Sequence, residues 1–180
     1  MKKLMMVLVG IAAVLSGCST PAYDVTVYIS PKFLQTMKVY PTLEMDLVGI
    51  NVNEEGRLKT ITVDKYFEAD SALRNGFDRC TVTFSEDSLQ PKHVSKHNSI
   101  WKVFSAKAAE KLLLIVNIPD NGETDTQNDA RKLVIPLEKP GMFESSARYF
   151  ELAPSGILQL KDKPSDAAEP VDVDKKESAK

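Results

Sequence analysis

The sequence predicts an all-β protein, an antiparallel β-sandwich of about seven to nine short strands with one or two short helices. Three observations point there. Short runs alternate apolar and polar residues with a period of two, as in Leu43-Glu-Met-Asp-Leu47. Turn signals such as Ser30-Pro31, Asn53-Glu-Glu-Gly56 and Pro154-Ser-Gly156 separate those runs. Lys111 to Ile118 (KLLLIVNI) is a continuous apolar run closed by Pro119, which suits a central strand covered on both faces. The 180 residues, 43% of them hydrophobic and 27% charged, are enough for one domain with a sizeable core.

The first segment precedes the sandwich. Lys2 and Lys3 form a basic end, and Leu4 to Leu15 is uncharged and apolar. As a helix that run would span roughly 18 Å, well short of the ~30 Å hydrocarbon core, so it reads as the hydrophobic region of a signal peptide. Leu15-Ser16-Gly17-Cys18 follows and closely resembles a bacterial lipobox. The resemblance implies a diacylglyceryl group on the Cys18 sulfur, cleavage before Cys18, and anchoring by two or three acyl chains, where one would bind only marginally. Residues 1–17 would then be a lipoprotein signal peptide and 18–22 a lipidated tether. Ser19, in place of the Asp that retains such proteins in an inner membrane, implies the outer membrane, with the protein facing the periplasm.

The sandwich domain is expected over residues 23–160. Tyr23 to Ile29 alternates, with Tyr23, Val25, Val27 and Ile29 on one face. Leu43, Met45 and Leu47 point inward in the next strand, with Glu44 and Asp46 outward. Asn53 to Gly56 reads as a turn and Leu58 to Val63 as a further strand. Asp64 is placed to cap a short helix, Lys65 to Ala69, and Asp70 or Ser71 another turn stopped at Asn75-Gly76. Cys80 to Phe84 resumes the β pattern, Lys111 to Ile118 is the central strand, and Arg131 to Glu138 alternates with Pro136 marking an edge. Tyr149 to Leu152 and Ile157 to Leu160 form a closing hairpin. Residues 161–180 hold five lysines and six acids, with Val171 and Val173 as the larger apolar side chains, and are expected to be a disordered charged tail.

Composition excludes several functions. A net charge of −2 without a dense basic stretch argues against nucleic acid. Two cysteines exclude a disulfide-rich scaffold and a four-thiolate zinc site. With Cys18 lipidated, Cys80 reads as a small buried hydrophobe, since a lone exposed thiol would be a liability in an oxidising compartment. His93 and His97 stand four apart in a polar, basic stretch, with Val94 where a zinc-peptidase helix places Glu, so an exposed loop or short helix is expected and no metal. Asp120 to Asp129 gathers acids and amides, but its spacing departs from an EF-hand, and an acidic loop joining two strands is the reading. There is no Gly-x-Ser-x-Gly elbow, and Trp101 reads as a core anchor. No enzyme and no cofactor are expected.

Three features of the layout bring a second resemblance: a lipobox, a sandwich of this size, and a helical excursion after the early strands. Its residues are Asn51-Val-Asn-Glu-Glu-Gly-Arg57, the β run Thr60 to Val63, and Tyr66-Phe67-Glu-Ala-Asp70. They are similar to TssJ, the outer-membrane lipoprotein family of the type VI secretion membrane complex. Leu43 to Val48 stands closer before this stretch than the family pattern has it. The resemblance implies a non-catalytic protein–protein assembly module whose partner is an inner-membrane secretion subunit, bound through loops between strands. Asn121, Gly122, Glu123, Asp125 and Asn128 are the candidate partner-binding loop. A small-ligand- or glycan-binding envelope lipoprotein is the alternative, and the scarcity of aromatic residues (7%, one Trp) speaks against its pocket.

Overall fold

Two β-sheets lie face to face in the computed structural model, which describes residues 20–36, 42–119, 128–142 and 144–173. The strands are β1 (Asp24–Ile29), β2 (Leu43–Ile50), β3 (Arg79–Phe84), β4 (Lys92–Val94), β5 (Lys111–Val116), β6 (Lys132–Pro136), β7 (Ala147–Ala153), β8 (Gly156–Leu160) and β9 (Val171–Asp172). Among the described residues one sheet runs β8-β7-β1-β4-β9 and the other β3-β2-β5-β6. The expected sandwich is therefore present, and β6 is the edge strand its proline called for. Two pairings run parallel, β1 with β7 and β4 with β9, while the others are antiparallel.

The main core fills the space between the sheets. Val25, Val27, Phe150 and Leu152 meet Met45, Leu47, Leu112 and Leu114 there. Burying each such side chain contributes roughly 1.5–3 kcal/mol, which is why strict alternation suffices to specify the inward face. A second core sits on the outer face of the four-stranded sheet. Val48, Ile50, Leu113 and Ile115 are covered by Leu58, Val63, Tyr66 and Phe77. Apolar residues on both faces of β5 give the unbroken run in the sequence.

Five short helices stand among the described residues, more than the one or two expected: α1 (Pro31–Thr36), α2 (Val52–Lys59), α3 (Val63–Phe67), α4 (Ala72–Asn75) and α5 (Ile100–Ala106). Residues expected as a turn at Asn53 to Gly56 and a strand at Leu58 to Val63 instead build α2 and enter α3. The reason is a capping box: the Asn51 side chain accepts from the Asn53 and Glu54 amides, and Glu54 accepts from the Asn51 amide at 3.0 Å. The next helix begins earlier than expected, capped by Thr62 instead of Asp64, with the Lys65 amide donating to Thr62 Oγ1 at 3.3 Å. Ser71 caps α4 as anticipated.

The segment expected as a disordered tail stays on the molecule through Val173. Leu160 leaves β8 at one edge of the five-stranded sheet, and Val171–Asp172 joins the opposite edge beside β4. The intervening residues must cross that sheet, and the core occupies its inner face. Crossing the outer face explains why Thr26 and Tyr28, which alternate with the inward Val25 and Val27, are buried. Burial, then the charges of Tyr149 and Glu169, raise the Tyr28 pKa. Main-chain pairing compensates where apolar side chains are lacking: the Val171 amide donates to the Pro91 carbonyl at 2.8 Å.

Candidate functional site

The ends of the sandwich can be told apart by what emerges from them. At one end the described chain begins: the Thr20 hydroxyl donates to the Ala109 carbonyl at 2.8 Å, and the Tyr23 hydroxyl to the Glu138 carbonyl. At the other end β5 runs out and β6 returns, so the feet of the candidate loop, Ile118 and Asp129, stand opposite Thr20. Of its residues, Asn121, Gly122, Glu123 and Asp125 lie outside the described residues, as does Cys18. Asn128 is exposed at the returning foot of the loop.

That foot is clamped. Arg131 is buried, and its guanidinium engages both oxygens of Asp129, Nε to Oδ1 at 3.0 Å and Nη2 to Oδ2 at 2.8 Å. Its Nη1 donates to the Ile118 carbonyl on the outgoing foot at 3.3 Å and to Asp64 of α3 at 2.9 Å. Backbone bonds add to this: the Val116 amide donates to the Arg131 carbonyl at 3.0 Å and the Ile157 amide to the Ala130 carbonyl at 2.9 Å. Burial pushes the Asp129 pKa upward, but hydrogen bonds from Arg131 outweigh it and leave the carboxyl below its ordinary value. The hydrogen bond to Asp129 holds the Arg131 pKa above its ordinary value. Within the acidic run, the Asp129 carboxylate is thus committed to Arg131.

A second polar cluster was not anticipated. Asp46, expected to face solvent, is fully buried on the outer side of β2. It accepts from Thr81 Oγ1 at 2.6 Å, Arg74 Nε at 2.8 Å and Tyr66 Oη at 3.0 Å. Arg74 also pairs with Glu44 at 2.8 Å and lies over the Phe67 ring. Burial first, then the Asp46 charge and hydrogen bond, raise the Tyr66 pKa, while the bond to Asp46 raises that of Arg74. These contacts lock α3 and α4 onto the sheet, and that is what the charge does here. The available signal was the run Val48 to Ile50, which continues β2 with apolar residues on the same side as Asp46.

The remaining candidates are structural in their contacts. Trp101 is a core residue: its Nε1 donates to the Ser95 carbonyl at 3.0 Å, and its ring meets Tyr23 and Phe104 edge-on. His93 does not lie in a loop or helix but in β4, half-buried, with Nδ1 3.1 Å from Thr26 Oγ1. His97 is exposed on the following turn. Among the described residues no group of three or more His, Cys, Asp or Glu side chains is placed to hold a metal. Cys80 is half-buried against the main core and lines a cleft of about 600 Å³. The cleft opens between β3 and the β4–β9 pair, with Phe77, Arg79, Thr81, Lys92 and Asp172 in its walls.

No family model and no curated protein match the sequence. Solved structures do resemble the fold. One is Lip of Serratia marcescens, described as a membrane-bound component of the Type VI Secretion System, at 13% identity and a TM-score of 0.49 over 80% of this chain and 99% of that one. Another is the type VI lipoprotein TssJ1 of Pseudomonas aeruginosa, at 12% identity and 0.47 over 80% and 100% of the two chains. A third is the C-terminal domain of the type VI protein TssM from EAEC, at 10% identity and 0.49 over 77% and 99%. No residue role is transferred from them.

Proposed function

We propose that the chain is a lipid-anchored outer-membrane lipoprotein facing the periplasm, and that it acts as a non-catalytic assembly module of a type VI-like secretion membrane complex. The observation that carries this reading is the polarity of the sandwich. Thr20, two residues after Cys18, sits at one end, and the loop feet clamped by Arg131 stand at the other. An acylated Cys18 therefore turns the loop away from its own membrane, toward whatever spans the periplasm. The partner class follows the layout of lipobox, sandwich and helical excursion between β2 and β3 that resembles TssJ.

The test is affinity capture of the tagged, lipidated chain from native membranes in mild detergent, beside a form carrying Glu123→Lys and Asp125→Lys. Co-purification of inner-membrane secretion subunits that the loop substitutions abolish supports the proposal. Recovery of the protein alone at good yield overturns it. The alternative, a small-ligand- or glycan-binding lipoprotein, has one observation in its favour, the cleft beside β3. Charged and hydroxyl groups dominate its walls and Phe77 is the one aromatic residue lining it, where sugar sites use several rings.

A further inference from the structure

Among the described residues, large apolar side chains that stay exposed are unevenly distributed. Val134, Leu158 and Val171 are spread over β6, β8 and β9, as isolated surface apolar residues usually are. The other three, Val52 (65% exposed), Val103 (38%) and Met142 (94%), gather at the end where the chain begins. Their attachments show it. Thr20 bonds Ala109, and the adjacent Glu110 amide donates to the Ile50 carbonyl at 3.0 Å, two residues before Val52. The Val103 carbonyl accepts from the Lys107 amide at 3.2 Å in the same segment. Met142 belongs to a loop that leaves at Glu138, whose carbonyl accepts from Tyr23, and returns at Ser146, whose carbonyl accepts from the Asp24 amide at 3.1 Å. Within that loop the Gly141 amide donates to Glu144 Oε2 at 2.9 Å.

We propose that Val52, Val103 and Met142 form a second membrane contact, dipping into the interface of the bilayer that holds the acyl chains of Cys18 and fixing how the sandwich stands on it. The inference rests on the reading of Cys18 as lipid-bearing. Thr20 lies two residues after Cys18, a reach of at most about 7 Å, so the acyl chains enter the bilayer beside this end of the fold. Apolar side chains held there gain by leaving water, and the anchor supplies the local concentration that such small contacts lack alone. Exposed charges around them are of both signs, Lys102 and Lys139 against Glu110 and Glu138. The contact is therefore with the apolar interface of the bilayer, not with anionic headgroups in particular.

The test uses the full lipidated chain in vesicles, with a fluorescent label sensitive to polarity at Met142→Cys and, for comparison, at Ser155→Cys in the turn before β8, both in a Cys80→Ser background. Mass spectrometry of the same samples reads the acylation of Cys18. The expected result is a blue-shifted Met142→Cys label, quenched by lipid-borne nitroxide and several-fold less open to aqueous iodide than the Ser155→Cys label. Neutral and partly anionic phospholipid vesicles give the same result. An acylated protein whose Met142→Cys label is as open to iodide as the Ser155→Cys label overturns the proposal alone. A shielding confined to anionic vesicles overturns the apolar contact in favour of a headgroup site. Unmodified Cys18 overturns the anchor reading and the membrane contact with it.

Discussion

At the N-terminal end the described chain is closed mainly by main-chain carbonyls: Ala109 accepts from Thr20, Glu110 from Leu137, Ile50 from Glu110 and Ser146 from Asp24. Its ion pairs, Lys107 with Glu54 and Lys111 with Glu55, ride on top of that frame. At the distal end one buried guanidinium does a comparable job, bonding Asp129, Ile118 and Asp64 at once. The difference teaches where each end is vulnerable. An end tied by backbone bonds loses little with any one side chain, whereas an end whose backbone bonds are joined by a buried ion pair loses most when that charge or its partner goes.

Arg131→Met probes this most strongly. It strands the buried Asp129 carboxylate, and a loss of about 3–5 kcal/mol is expected in urea unfolding. Amide exchange should accelerate at Ile157 and Val116 well before it does at Glu110. Equal acceleration at both ends would show that the clamp serves the whole fold, and the contrast would break. Gly49→Ala comes next, at the N-terminal end. A Cβ there would stand 2.5 Å from the Phe104 ring of α5, so overpacking by about 1–3 kcal/mol is expected. An unchanged melting temperature would show that α5 can shift freely and does not brace that end.

Acid is a gentler probe. Since the Asp129 pKa is lowered on folding, its contribution is fully present above the ordinary Asp value of about 3.9 and is lost as pH falls through the lower folded value. Glu55 titrates in the same sense at the other end, lowered first by its hydrogen bond from Lys111. Below pH 4, protection at the distal feet should fall, and Asp129→Asn should remove that pH dependence. Retention of it would assign the acid sensitivity to other carboxylates. The smallest effect belongs to Met142→Ser, within about 0.5 kcal/mol by urea unfolding, because the side chain touches little of the fold.

How much of this could be read from the sequence depended on whether a signal was local. Alternation gave β1, the start of β2, β3, β6 and the β7–β8 hairpin, and the run Lys111 to Ile118 gave a central strand. α2 was also written locally, in Asn51 and Glu54, but Gly56 argued for a turn and the cap geometry prevailed. Asp46 misled because alternation assumes one wet face, and α3 and α4 cover the face where it lies. The strap from β8 to β9 and the parallel β1–β7 pair depend on partners far along the chain, which no window of residues reveals. For the candidate site, the acidic loop was visible as composition. Its clamp was not, because Arg131 looked like the first residue of an edge strand.

The proposed function requires the two ends to face different neighbours. The most direct measurement places a photo-crosslinking side chain at Asn128 in one form and at Met142 in another, each expressed in the native envelope and irradiated in intact cells. A covalent protein adduct, an inner-membrane secretion subunit, is expected from position 128, and lipid adducts without protein from position 142. A protein adduct from 142 with none from 128 would contradict it and reverse the orientation of the sandwich on its membrane.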